Sequence, residues 1–290
     1  MNKYALCLPL IFSVSAVNAQ SNDSNSIIWA AVDFTPYVFV DGPNKGKGII
    51  DQAVELLKKR LPEKQYEHSI AFNVRVFEMM KTMPNVCTGV FLRNAEREKF
   101  MEFTVNPTIR VLPNGIITTR DRRDALKQHI NENGELRLDA ALADGKYRLL
   151  VEAARIFGPH IDGIIRNPAV QASVITTSST PTLESKLMKL AHQKEYDFVI
   201  GYAIEMKSAA SRVRTKEEDF SFIPIAGEPS LVPIPVACSK TEIGKRFVGA
   251  VDKVLAEPAV QRELAQLYRQ WLDSETAARY DKLLMQASTK

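Results

Sequence analysis

Ile27-Ile28-Trp29-Ala30-Ala31-Val32, followed at once by Asp33-Phe34-Thr35-Pro36-Tyr37, is a short apolar run that ends in a proline-bearing loop. An unbroken apolar run bounded by turn residues reads as a strand buried on both faces. Asp41-Gly42-Pro43 and Gly46-Lys47-Gly48 are turn sequences. From Ile49, the positions Ile49, Ile50, Ala53, Val54, Leu57 and Leu61 recur at helical spacing until Pro62 stops them. Tyr66 to Phe72 reads as a weaker strand. Asn73 is a candidate cap for a short helix carrying Val74, Phe77 and Met80, and Val86 to Phe91 is a further strand. Strands alternating with amphipathic helices predict an α/β domain with a largely parallel sheet.

The alternation then repeats. Gly115 to Thr119 reads as a strand, Asp121 to Ile130 as a helix, and Tyr147 to Val151 as a strand leading through Glu152-Ala153-Ala154-Arg155 to a helix after Gly158-Pro159. Val174 to Thr177 and Tyr196 to Ile200 are strands flanking a helix from Leu183 to Ala191. Pro224, Pro229, Pro233 and Pro235 break up an extended region that ends in Val236-Ala237-Cys238. Helices follow over Ile243–Leu255, Val260–Leu272 and Thr276–Leu284, with Val260, Leu264, Leu267, Tyr268 and Trp271 on one face. Two successive α/β units with a helical tail are expected. Open α/β sheets bind ligands at the carboxyl ends of their strands, so two facing units would place a small-molecule site in the cleft between them.

At 290 residues the chain exceeds the ~100–200 residues of one typical domain, and its 45% hydrophobic and 25% charged residues are ordinary for a globular protein. Met1-Asn2-Lys3, an apolar run from Tyr4 to Val17, and Val17-Asn18-Ala19-Gln20 have the pattern of a cleavable signal peptide over residues 1–19, cut after Ala19. The run falls short of the ~20 apolar residues of a spanning helix, Pro9 interrupts it, and Cys7 lies too early for lipid attachment. The formal net charge falls from +4 to +3 when Lys3 leaves with the signal, too mild and too scattered for nucleic acid. Lys58-Lys59-Arg60 and Arg120-Asp121-Arg122-Arg123 read as solvated helix faces. In an oxidising compartment the two remaining cysteines, Cys87 and Cys238, are either a disulfide or two separate buried thiols.

Signatures of catalysis are sparse. His68, His129, His160 and His192 are isolated, without HxH or HExxH spacing, so neither a metal nor a cofactor is expected. There is no GxSxG elbow and no phosphate-cradling glycine loop. No catalytic residues are assigned, although Glu152, Glu205 and Asp33 keep carboxylate acid–base chemistry open.

Several stretches, in order, resemble the family 3 extracellular solute-binding proteins, the periplasmic receptors related to the amino-acid-binding subunits of ABC importers. Asp33-Phe34-Thr35-Pro36-Tyr37 is similar to that family's loop after the first strand, and Gly48-Ile49-Ile50-Asp51 to its Gly-Phe-Asp segment. The most informative stretch is Arg93-Asn94-Ala95-Glu96-Arg97-Glu98-Lys99-Phe100-Met101-Glu102-Phe103-Thr104-Val105-Asn106-Pro107, which resembles Thr-x-x-Arg followed by aromatic-Ser. Val151 to Gly158 and Asp197 to Tyr202 are similar to the second lobe's ligand-binding turns, and the Trp271 and Tyr280 helices to the usual tail. The resemblance covers nearly the whole chain after the signal.

It implies a two-lobed periplasmic-binding-protein fold of type II, α/β in both lobes. Lobe one would comprise residues 26–113 plus 237–290 and lobe two residues 118–233, with crossings near Pro113–Arg120 and Leu231–Cys238. It also implies a monomeric receptor that gives its ligand to a membrane permease complex, or signals to a membrane sensor without transport. A few lyases share the fold. Arg97 matches the arginine that clamps a ligand carboxylate, a task suited to a planar fork of donors that stays charged. The bland alternative is a surface ion pair of Arg97 with Glu96, Glu98 or Glu102. Arg75, Arg93 and Arg155 are further candidates, as are Asp33, Tyr37, Phe91, Tyr202 and Glu205. Tyr202 stands where amino-acid receptors carry an ammonium-binding aspartate, and Gly89, Val90 and Leu92 replace the usual small hydroxyl residues. These departures point to an anionic or carboxylate-bearing ligand. Because the family pairs the strands holding Cys87 and Cys238, the resemblance also implies a disulfide between them.

Overall fold

The computed structural model describes residues 26–62, 64–153, 155, 157–178, 181–193, 195–213 and 219–288. The expected signal peptide and its cleavage after Ala19 lie outside these residues.

The opening run forms β1 (Ser26–Ala31), parallel to β2 (Gln65–Ile70) and β3 (Val86–Thr88). Side chains alternate across a strand. Ile27 and Trp29 therefore pack with α1 (Ile49–Arg60), while Ala30 meets Val76, Met79 and Met80 of α2 (Asn73–Thr82). Asn73 is the first residue of α2, and its cap position belongs to Phe72. The strand expected through Phe91 stops at Thr88, because β1 pairs with β3 only at Ile28 and Trp29 before turning into the Asp33 loop. That loop is pinned to α1. Asp51 accepts the N–H groups of Gly48 at 2.9 Å and Phe39 at 3.0 Å. A Cβ at Gly48 would lie 2.4 Å from the Tyr37 carbonyl oxygen, so only glycine permits the approach.

β4 (Met101–Phe103) completes the first sheet with β12 (Ala237–Ser239), in the order β2-β1-β3-β12-β4. β12 is antiparallel to β3, with Cys238 directly opposite Cys87. The two cysteines are disulfide-bonded, Cα to Cα 4.0 Å, and both are fully buried.

β5 (Ile109–Val111) leads the chain out of the first sheet and β11 (Val232–Ile234) leads it back, the two pairing as an antiparallel ribbon. The second sheet contains β6 (Gly115–Thr119), β7 (Leu149–Glu152), β8 (Val174–Thr177), β9 (Phe198–Gly201) and β10 (Phe220–Pro224), in the order β10-β6-β9-β7-β8. Its helices are α3 (Arg120–Ala125), α4 (Leu138–Ala143), α5 (Pro159–Arg166), α6 (Leu183–His192) and α7 (Ala203–Ala210). The expected Asp121–Ile130 helix is α3 followed by a single 3-10 turn at Lys127–His129. Two sheet-and-helix lobes joined by two crossing segments make the expected two-lobed α/β fold.

Three helices close the chain: α8 (Glu242–Leu255), α9 (Pro258–Arg269) and α10 (Ser274–Ser288). α8 and α9 pack on α1 in the first lobe. α10 reaches across the ribbon. Tyr280 donates to the Arg110 carbonyl at 2.7 Å, while Arg279 pairs with Glu135 at 2.9 Å and Glu275 with Arg123 at 2.8 Å, both partners in the second lobe. The tail is thus a brace behind the connection between the lobes.

Candidate functional site

Loops at the carboxyl ends of β1 and β3 and the start of α7 enclose a cavity of about 290 Å³. Val32, Phe34, Tyr37, Val90, Phe91, Ile234 and Tyr202 give it apolar walls, and its charged residues are Asp33 and Arg97. Asn94 accepts the Arg97 N–H at 2.9 Å at the start of the 3-10 turn Arg97–Lys99. The Arg97 guanidinium donates to the Leu92 carbonyl at 2.6 Å and lies 5.1 Å from the Phe91 ring centre and 5.6 Å from that of Phe77. Aromatic faces attract a cation while leaving its donors free. Partial burial pulls its pKa below the ordinary arginine value, a sign that the charge is incompletely solvated.

The ion pairs proposed as the bland alternative do not form. Glu98 pairs with Arg93 at 3.3 Å and Glu96 with Lys99 at 2.7 Å, and among the described residues Arg97 has no carboxylate partner. Asp33, exposed at the mouth, also has no ion pair among the described residues.

A second space of about 500 Å³ opens between Asp33, Phe34 and Thr35 of the first lobe and the second lobe's Glu152, Arg155, Glu184, Lys186, Glu205 and Arg212. Here charges are matched. Lys186, 4% exposed, makes a short ion pair with Glu152, 8% exposed. Arg155 lies 3.7 Å from Glu152 and 4.0 Å from Glu205, and Arg212 pairs with Glu184 at 2.8 Å. A lysine so buried is tolerated only beside an anion. Glu205 has its pKa raised by burial, an effect opposed by the Tyr202 N–H, which donates to it at 2.9 Å, and by Arg155. Burial likewise raises the Tyr202 hydroxyl.

Of the residues singled out in the sequence, Arg97, Asp33, Tyr37, Phe91 and Tyr202 share the smaller cavity, and Asp33, Arg155 and Glu205 the larger. Arg93 and Arg75 line neither. Arg93 is drawn off by Glu98, by the Phe103 carbonyl at 3.3 Å and by the Phe103 ring at 5.3 Å. Arg75 is exposed on the first turn of α2, with no ion pair among the described residues. Arg155, Lys186 and Arg212 face carboxylates, which leaves Arg97 as the cleft cation without one among the described residues. Lys186 and Glu184 carry no distinguishing signal in their charge because charged residues on an amphipathic helix normally face water, and Arg212 lies in the turn after α7, where no periodicity marks it. The signal that does exist is one of position, since Lys186 lies three residues from Leu183 and four from Leu190, on the apolar stripe of α6.

Among the described residues no group of three His, Cys, Asp or Glu is placed to hold a metal ion, and no helix is long and apolar enough to cross a membrane. No protein-family profile matches the chain, and no curated protein sequence does. Solved structures do match. ytmK of Bacillus subtilis, a probable amino-acid ABC transporter extracellular-binding protein, superposes with a TM-score of 0.64 at 15% identity, over 86% of this chain and 98% of that one. The periplasmic VFT2 domain of BvgS from Bordetella pertussis gives 0.59 at 18% identity, over 86% and 94%. A histidine kinase sensor domain similar to periplasmic binding proteins gives 0.56 at 13% identity, over 85% and 96%. Sequence likeness this low carries the fold and nothing finer: the chain has the two-lobed α/β fold shared by solute-binding proteins of amino-acid importers and by receptor domains of membrane sensors.

Proposed function

We propose that this chain is a divergent family 3 solute-binding receptor of the periplasm. It captures a small carboxylate-bearing molecule between its lobes and presents it to an ABC-type importer. The observation that carries the reading is Arg97, held against Phe77 and Phe91 at the wall of a cavity where, among the described residues, no carboxylate pairs with it, Asp33 included. A ligand carboxylate there gains charge-assisted hydrogen bonds in a partly desolvated setting. Because the second lobe pairs its own charges, a single ligand carboxylate suffices, the carboxylate-bearing form of the expected anionic or carboxylate-bearing ligand. Asp33, at the mouth of the same cavity, is placed to meet a positive group where the ligand has one. Closure would flex the β5–β11 ribbon.

Mass spectrometry of small molecules released from natively purified protein, followed by calorimetric titration of the species found, tests this reading. A carboxylate that binds unchanged and is recovered unchanged supports it. A ligand without a carboxylate, or one converted to product, defeats it. The likeness to a histidine kinase sensor domain supports a second reading, in which the ligand-bound form signals to a membrane sensor. Crosslinking in cells to a permease or to a sensor separates the two.

A further inference from the structure

Tyr37 brings more to the Arg97 cavity than the face of its ring. It is 4% exposed, stacked on Phe34 at 4.8 Å between ring centres and set edge-on to Tyr202 at 6.2 Å. Its backbone is fixed as well, since the Ile50 N–H donates to the Tyr37 carbonyl at 2.8 Å. Ring and backbone are thus committed, while the hydroxyl has no hydrogen-bond partner among the described residues. Elsewhere packing seals unpartnered polar atoms, such as Trp29 Nε1 and Thr108 Oγ1, away from any water-sized contact, and the Tyr37 hydroxyl is not one of these. It therefore opens onto space, and the space that Tyr37 lines is the Arg97 cavity.

The other polar side chains of that cavity are accounted for. Asp33 and Asn73 stand exposed at its mouth. The Tyr202 hydroxyl lies beside the Asn114 side chain. Arg97 belongs to a separate setting, made by Phe77, Phe91 and the Leu92 carbonyl. Burial, with the Tyr268 and Tyr202 hydroxyls near, holds the Tyr37 pKa well above the ordinary tyrosine value, so the phenol keeps its proton. A protonated phenol donates one hydrogen bond and can accept others. An oxygen acceptor suits that donor, whereas a second carboxylate would bury its charge against a single neutral partner. At about 290 Å³ the cavity lies at the small end of the ~300–1,000 Å³ of ligand sites, which keeps both anchors within reach of one small molecule.

Resting on the assignment of Arg97 as the carboxylate site, we infer that Tyr37 is a second, specificity-determining anchor, whose hydroxyl selects carboxylates that also bear a neutral hydroxyl, keto or amide oxygen.

The test is calorimetric titration of the signal-free chain, and of Tyr37→Phe, with straight-chain acids from butanoate to hexanoate and the same acids carrying a hydroxyl or keto oxygen at each successive carbon. Wild type should bind at least one oxygenated acid about 3- to 10-fold more tightly than its parent. Tyr37→Phe should return that acid to the parent's affinity and leave the parent acids unaffected. It should also leave the melting temperature of the ligand-free protein unchanged, because no hydrogen bond is lost there. The inference is overturned if no oxygenated acid surpasses its parent in wild type, or if the preference survives in Tyr37→Phe. A ligand-free Tyr37→Phe protein that melts several degrees lower overturns it too, by giving the hydroxyl a structural partner. Arg97→Gln separates this inference from the reading beneath it. Parent acids that bind wild type and are lost in Arg97→Gln leave the carboxylate site standing when the Tyr37 preference fails. Acids that Arg97→Gln leaves unaffected, or that do not bind wild type at all, bring down both.

Discussion

Breaking the Cys87–Cys238 bond frees a loop with a sequence separation of 151 residues, which contains the entire second sheet. Closing a loop of that length lowers the entropy of the unfolded chain by roughly 17 cal/mol/K, about 5 kcal/mol at 25 °C. The folded state gives back little of this. β3 and β12 remain paired, both cysteines stay fully buried, and β12 is also held by β4 on its other edge. Reduction should therefore lower unfolding free energy by between about 2 and about 5 kcal/mol, and it should steepen the denaturant dependence because the freed chain exposes more surface when unfolded. The assay is urea unfolding followed by tryptophan fluorescence and far-UV circular dichroism, with and without reductant, alongside the Cys87→Ser/Cys238→Ser double variant. Reduced protein that is still folded should keep its ligand affinity, since neither cysteine lines the Arg97 cavity. Coincident midpoints for oxidised and reduced protein would refute the reasoning, as would free thiols found by non-reducing mass mapping of periplasmic material.

Lys186→Met should cost about 3 kcal/mol, because it strands Glu152 with only Arg155 at 3.7 Å for compensation; adding Glu152→Leu should recover most of that loss in chemical denaturation. Glu205 has a folded-state pKa above its unfolded value, so its ionisation opposes folding, and stability is lost as pH rises from the unfolded value of about 4.3 through the folded one. Melting curves from pH 4 to pH 8 should therefore show Glu205→Gln gaining on the wild type as pH rises; parallel curves would count against the burial of that carboxylate. Tyr280→Phe removes the hydrogen bond to the Arg110 carbonyl and should lower stability by about 1 kcal/mol, read from thermal unfolding of the ligand-free protein.

The two successive α/β units were legible because β1, α1 and their repeats carry clean periodicity, with Pro62 as a stop; the two-lobed plan and the chain's return near Cys238 came only from the family resemblance. The short strands β4, β5 and β11 were not, since three residues hold no period and their pairing is set by distant partners such as Val111 with Val232. α4 and α7 were missed for a similar reason: at six and eight residues each is too short to carry a clear helical period. In the site, Arg97 was singled out only by its resemblance to the family's Thr-x-x-Arg segment, and the fold sets it at the wall of the smaller cavity. Arg93 was not separable from it in sequence, because only the fold reveals that Glu98 and the Phe103 carbonyl take one arginine and leave the other. The paired charges around Lys186 are likewise a product of tertiary approach, assembled from β7, α6 and the start of α7.

The central claim is that Arg97 holds the carboxylate of a bound small molecule. Calorimetric titration of the ligand recovered from natively purified protein, into wild type and into Arg97→Gln, tests it most directly. The account predicts a loss of about 10- to 150-fold in affinity, the worth of a hydrogen bond to a charged group, with the melting temperature of the ligand-free protein unchanged. Equal affinity in the two proteins would contradict it.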